Sequence, residues 1–161
     1  MKRTEQRNAM TLVEVLMVVS IIALLGAILV PAITLALQYR ANTEVANRFR
    51  VAVLAFEQYH AETGEHPPNN WGSAPPVMIA YHFPYYKIDW WTETTAIGGR
   101  WDWDEYSSVG AYISIANPSA SAKQLQRLDR ILDDGDLETG RFQKGVNPGW
   151  PNDYSYIIEL Y

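Results

Sequence analysis

Four groups of side chains in this sequence can do chemistry beyond packing. The first is Glu14, a lone carboxylate just before residues 15–37, a run of 23 positions without charge in which Ser20 and Thr34 are the clearly polar side chains. A carboxylate in an apolar layer costs about 2.5–3.5 kcal/mol at the bilayer centre, and such groups are usually paired and functional. At the edge of the run it can instead reach the interface. The second group lies in "DDGDLETG", residues 133–140, where Asp133, Asp134 and Asp136 surround Gly135 as in a fragment of a calcium loop. The full twelve-residue EF-hand pattern is missing, so a solvated turn competes with calcium ligation by these three residues. The third is the set of three histidines, His60, His66 and His82. A metal site needs ligands that converge. Here one histidine falls in a helical stretch and two in loops without ligand spacing, which favours a structural role. The fourth is the dense aromatic run from Trp71 to Tyr106. Exposed, it would offer a platform for a sugar or a partner. Buried, it would fill a small core at about 150–250 Å² per ring, and burial is the expectation, with Trp101 and Trp103 on one side of a strand. No G-x-S-x-G, P-loop, H-E-x-x-H or C-x-x-C pattern occurs, so no catalytic residues are expected and the chain does not read as an enzyme.

The elements that position these groups follow from charge and periodicity. The 161 residues carry a net charge of −5 and no cysteine, which excludes disulfides, thiolate metal sites and a basic nucleic-acid footprint. Lys2, Arg3 and Arg7 against Glu5 make the start of the chain positive, which marks the cytoplasmic side of an apolar span. At 1.5 Å per residue the uncharged run is about 35 Å of helix, enough to cross a bilayer. A signal peptide has a shorter apolar core of roughly 7–15 residues and a small-residue cleavage site, for which Thr34-Leu35-Ala36 is a mediocre match. Beyond the run, Val45, Phe49, Ala52, Phe56 and Tyr59 recur at helical spacing while Glu44, Arg48, Glu57 and Glu62 fall off the stripe. Gly64, Pro67 and Pro68 end the helix, giving about 80 Å of helix from Met10 to Thr63. Residues 65–95 read as loop. Strands are predicted at "GRWDWD", "GAYISIA" and "YSYIIEL". Between the last two, "SAKQLQRLDRILDDG" reads as a short helix with Leu125, Leu128 and Leu132 on one face and Ser121 with Gln124 as a capping box. The predicted fold is α+β, a long N-terminal helix packed on a small antiparallel sheet.

Read from Ala9 to Glu14, "A-M-T-L-V-E" resembles the processing motif G-F-T-L-[IV]-E of type IV prepilins and type II secretion pseudopilins. The resemblance implies cleavage between Ala9 and Met10 by an aspartic prepilin peptidase, N-methylation of Met10, and a role for Glu14 in subunit assembly through the N-terminal amine of a neighbour. Ala9 stands where the family usually has Gly, and Met10 where it usually has Phe. Pro31, 21 residues after Met10, matches the family's helix-bending proline and predicts a kink or a locally melted turn near Val30. "FEQYHAETGEHPP" resembles the end of the long helix in the major-pseudopilin group, and "GWPNDYSYII" is a looser echo of a later stretch. The implied organisation is a leader at 1–9, a transmembrane and filament-core half-helix at 10–37, an amphipathic half at 38–63 and a periplasmic α+β head at 64–161. The implied function is a structural subunit of a pilus-like filament in the bacterial inner membrane, N-terminus cytoplasmic, most specifically a type II secretion pseudopilin. Its partners would be other pilin-like subunits, the prepilin peptidase, an assembly platform protein and its ATPase, with no nucleic acid contact required. The alternatives are an adhesive, motility or DNA-uptake pilin, and a membrane-anchored glycan-binding module. The one cofactor considered is calcium at Asp133, Asp134 and Asp136.

Overall fold

The computed structural model describes residues 11–70, 73–106, 109–147 and 149–161. It is the α+β arrangement expected, a long N-terminal helix, α1 (Leu12–Thr63), packed against a four-stranded antiparallel sheet. The other elements are a π-helical turn (Met78–His82) running into α2 (Phe83–Tyr86), then β1 (Arg100–Tyr106), β2 (Gly110–Ala116), α3 (Ala122–Leu132), β3 (Phe142–Lys144) and β4 (Tyr154–Leu160). The strand order is β1-β2-β4-β3. The chain divides into two compact units between Leu37 and Gln38.

In the second unit the predicted stripe is the buried face of α1. Val45, Phe49, Ala52 and Phe56 are fully buried, joined by Ala46 and Ala55, while Tyr59 is half-buried. These side chains meet one face of the sheet through aromatic contacts. Phe56 stacks on Trp103 with ring centroids 4.0 Å apart, and Phe49 meets Trp101 edge-on at 4.8 Å. Trp101 and Trp103 thus share a side of β1, cross-paired with Ile115 and Ile113 of β2. On the exposed face Arg48 pairs with Glu44 at 3.1 Å, reaches Glu93 at 3.3 Å and lies over the Trp90 ring. Gly64, at φ +79°, ends the helix in the left-handed conformation that favours glycine.

The other face of the sheet is buried and polar. Ser114 of β2 and Ser155 of β4 are cross-strand partners joined at 2.8 Å, and Asp104 of β1, which pairs with Tyr112, lies diagonal to Ser114 and accepts its hydroxyl at 3.3 Å. Asn69 and Asn147, from the segments before β1 and before β4, both donate to Asp104 Oδ1 at 3.4 Å. Buried polar atoms satisfied in this way pin loops to strands, because each lost bond would strand a group away from water.

The structure departs from the sequence reading at three points. Residues 78–86, read as loop, form the π-helical turn and α2. The prolines there mark helix starts: Pro75 accepts the first helical bonds from the amides of Met78 and Ile79, and Pro84 sits in the first turn of α2. The short strand β3 escaped notice because three edge residues carry no readable alternation. The capping box at α3 is half made. Ser121 Oγ accepts from the Gln124 amide at 3.3 Å, but the Gln124 side chain turns away and donates to Asn42 Oδ1 at 3.2 Å. Asn42 returns a bond to the Gln124 carbonyl at 2.9 Å, so the amide side chain clamps α3 to α1.

Candidate functional site

Glu14 sits in the first turn of α1, and its carboxylate is engaged locally. Oε2 accepts from the Thr11 amide at 2.7 Å and from the Thr11 hydroxyl at 2.9 Å, while Thr11 Oγ1 accepts from the Glu14 amide at 3.3 Å. This is a reciprocal capping box, T-x-x-E, satisfying amides that a helix start otherwise leaves without partners. The T-x-x-E spacing of "TLVE" carries this signal in the sequence, and it competes there with the reading of Glu14 as a membrane charge. Ala9 and Met10, with the rest of the leader expected at 1–9, lie outside the described residues.

Beyond Glu14 the helix surface is apolar on all sides and unburied. Every large apolar side chain of residues 12–37 is at least 45% exposed. Such a surface is unfavourable in water by about 25 cal/mol for each Å² left uncovered, so it requires lipid or protein around it. By length and composition this helix can cross a membrane. It runs without interruption through Pro31, so the melted turn, one of the two outcomes expected there, does not form. The Thr34 hydroxyl folds back on the Val30 carbonyl at 2.9 Å, and the Ser20 hydroxyl likewise on Leu16 at 2.7 Å. Each polar side chain in the run thus satisfies itself within the helix.

The acidic turn after α3 assembles differently from the sequence reading. Asp133 and Asp134 come together with Asp129, not with Asp136, each offering a carboxylate oxygen within 4.8 Å of the others. Asp136 turns to the Glu138 amide, accepting at 3.1 Å. Asp134 accepts from the Asp136 amide and the Thr139 hydroxyl, both at 2.8 Å, and these bonds hold its carboxyl below the ordinary range. Asp133 accepts from the Arg141 amide. Asp129 is fully buried, and neither of its oxygens has a hydrogen bond of ordinary geometry. Burial first, then the charges of Asp134 and Asp133, push its carboxyl up to about 6, with the nearby Gly135 amide opposing the rise. The overlooked signal was its position: Leu125, Leu128, Asp129 and Leu132 form one i, i+3, i+4, i+7 face, so the stripe itself places a carboxylate toward the core.

His60 and His66, which lack ligand spacing in the sequence and are expected to be structural, are stacked at 4.2 Å with planes 15° apart, and His66 Nε2 lies 2.9 Å from Glu159. A ring nitrogen binds a metal in the ring plane, and parallel stacked rings cannot both point at one ion. The arrangement therefore closes the end of α1 against β4 and is not poised for a metal. His82 stands apart, edge-on to Tyr59 and 3.8 Å from Glu62. The aromatic run divides. Phe83, Trp91, Trp101 and Trp103 are buried, Trp90 is half-buried, and Tyr81 and Tyr85 are exposed. Trp71 lies outside the described residues.

In comparisons with known proteins, the chain matches no family model, no curated protein and no solved structure.

Proposed function

We propose that this chain is a filament-forming, pilin-like subunit, most specifically a type II secretion pseudopilin, stored in a membrane through residues 10–37 and assembled through the same surface. One observation carries the reading: a single unbroken helix has an amphipathic stretch that builds a folded core and an apolar stretch with no cover at all. A surface of that kind suits lipid before assembly and neighbouring half-helices afterwards. The motif from Ala9 to Glu14 adds the processing step that would switch one environment for the other, with the leader 1–9 removed and Met10 methylated. Glu14 would then exchange its local bonds to Thr11 for the new N-terminal amine of a neighbour. A charge pair in a dry interface sets register more than it adds stability, since a misplaced subunit leaves a charge buried alone. The prepilin peptidase, platform protein and ATPase are the partners this scheme requires, and the bacterial inner membrane is its location. The glycan-binding alternative draws less support, because burial of Trp91, Trp101 and Trp103 removes much of the platform it would use.

The test is mass spectrometry of the mature protein from its native membrane, combined with recovery of sheared filaments. A chain beginning at methylated Met10 is expected. Glu14→Gln should insert into the membrane but fall out of the filament fraction by tenfold or more. Thr11→Ala, which removes only the cap at about 1 kcal/mol, should still assemble. A protein that keeps Met1, or that begins near Leu37, defeats the proposal.

A further inference from the structure

We infer that the cavity beside α2 is a binding site for a free α-amino acid with a large apolar side chain. The inference is independent of the filament reading and rests on the cavity, an indole without a partner and two unpaired charges at the mouth. The cavity measures about 590 Å³, inside the range of about 300–1,000 Å³ in which small-molecule sites fall. Its walls are apolar: the π-helical turn and α2 supply Ile79, Phe83 and Pro84, and the chain that follows supplies Ile88 and Trp91. Trp91 is 4% exposed, and its indole N–H is buried without an acceptor, although buried polar groups almost always find one.

Three consecutive residues build the mouth. The Lys87 amide donates to the Pro84 carbonyl at 3.3 Å and the Ile88 amide to the Phe83 carbonyl at 2.8 Å, the pair of bonds that closes a helix as a Schellman motif. Lys87 therefore stands in the left-handed conformation, at φ 56° and ψ 42°. Glycine is the residue that this conformation favours, so the lysine charge is held there against backbone preference. Ile88 is buried, while Lys87 and Asp89 on either side of it are exposed and both line the cavity. Among the described residues neither of the two forms an ion pair.

The charges choose the ligand. An apolar cavity by itself would accept any apolar body of the right size. One cation and one anion at its mouth favour a body with a zwitterionic head, because each head charge then meets its opposite as the apolar part leaves water. A free amino acid such as phenylalanine, leucine or methionine has that form. Its carboxylate would meet Lys87, its ammonium Asp89, and its side chain the wall of Phe83, Ile88 and Trp91. A residue inside a peptide has lost both head charges, and a chain terminus keeps only one of them.

The experiment uses the full chain in a non-ionic detergent and follows the Trp91 indole N–H by heteronuclear NMR, as the signal that Trp91→Phe lacks, during titration with phenylalanine. A saturable shift with a Kd in the millimolar range or tighter is expected. Phenylpropanoate, which lacks the ammonium, and phenylethylamine, which lacks the carboxylate, should each bind about threefold more weakly or worse, and glycine should not bind. Lys87→Gly, a change that suits the left-handed backbone and leaves the core intact, should weaken phenylalanine by a similar factor and leave phenylethylamine unchanged. Asp89→Asn should weaken phenylalanine likewise and leave phenylpropanoate unchanged. Absence of a saturable shift in the unsubstituted chain overturns the inference, and so does glycine binding as tightly as phenylalanine. Equal affinity for the three phenyl compounds, or unchanged phenylalanine binding in both charge variants, overturns the zwitterionic head and with it the ligand class.

Discussion

Glu14 shows how one side chain can satisfy two demands that a linear reading treats as rivals. Its carboxylate closes the first turn of α1 through Thr11, which keeps the charge solvated by backbone and hydroxyl donors at the edge of the apolar run. Those donors are local and exchangeable, so the same oxygen remains available to a stronger partner. Asp104 shows the opposite case, a carboxylate enclosed by the fold. Burial pushes its carboxyl above the ordinary range, against the bonds from Ser114, Asn69 and Asn147 and with a further rise from the charge of Asp153. A carboxyl whose pKa is higher folded than unfolded contributes its stability below the unfolded value of about 3.9, and that contribution is lost as pH rises through the folded value. Asp104→Asn does not titrate and can keep the same bonds, with Ser114 turning to accept. The stability difference between the two proteins should therefore move in favour of Asn between pH 4 and pH 7, read by chemical denaturation in detergent. A difference that stays the same at both pH values would show that Asp104 keeps its ordinary titration. Nothing in the sequence around Asp104 distinguishes it from Asp102, because its burial depends on Asn69 and Asn147, which lie 35 and 43 residues away along the chain.

Among the elements, α1 was the most legible, because a stripe repeated every three or four residues survives any tertiary arrangement that buries one face. Its energetic centre is Phe56, held between Trp103, Phe83 and Trp91. Phe56→Ala should cost about 3–5 kcal/mol by lost burial and the cavity left behind, seen as an earlier loss of near-ultraviolet circular dichroism on denaturation. Leu54→Ala, two residues away on an exposed side chain, should change stability by no more than about 0.5 kcal/mol. Equal effects would mean that the stripe does not define the packed face. The strands β2 and β4 were read with their observed limits, since their apolar runs are bounded by glycine or aspartate. The helical pieces at residues 78–86 were not, because local propensity reads Pro75, Pro76 and Pro84 as breaks. Packing decides otherwise: Met78, His82 and Phe83 are buried, and the π-helical bond from the Phe83 amide to the Met78 carbonyl comes just before Pro84, which has no N–H to continue an ordinary ladder.

At the scale of the whole molecule, the division between Leu37 and Gln38 separates a segment without a core from one that has its own. Residues 38–161 should therefore be soluble without detergent and melt cooperatively by tryptophan fluorescence once residues 1–37 are removed. Aggregation of that fragment, or a melt without a transition, would show that the apolar half-helix is needed to complete the fold. The sequence by itself determined the α+β class, the long helix with its change from apolar to amphipathic, its stop at Gly64 and three of the four strands. These depend on periodicity, on turn chemistry and on the length of uncharged runs, all of which are local along the chain. Only the tertiary structure decided that Asp129 joins Asp133 and Asp134 while Asp136 turns away, that His60 and His66 stack beneath Glu159, and that Gln124 leaves its cap to clamp Asn42. Each of these depends on which side chains share a buried space after the chain returns on itself. In that space the cost of an unpaired polar group, not its neighbours in sequence, selects its partner.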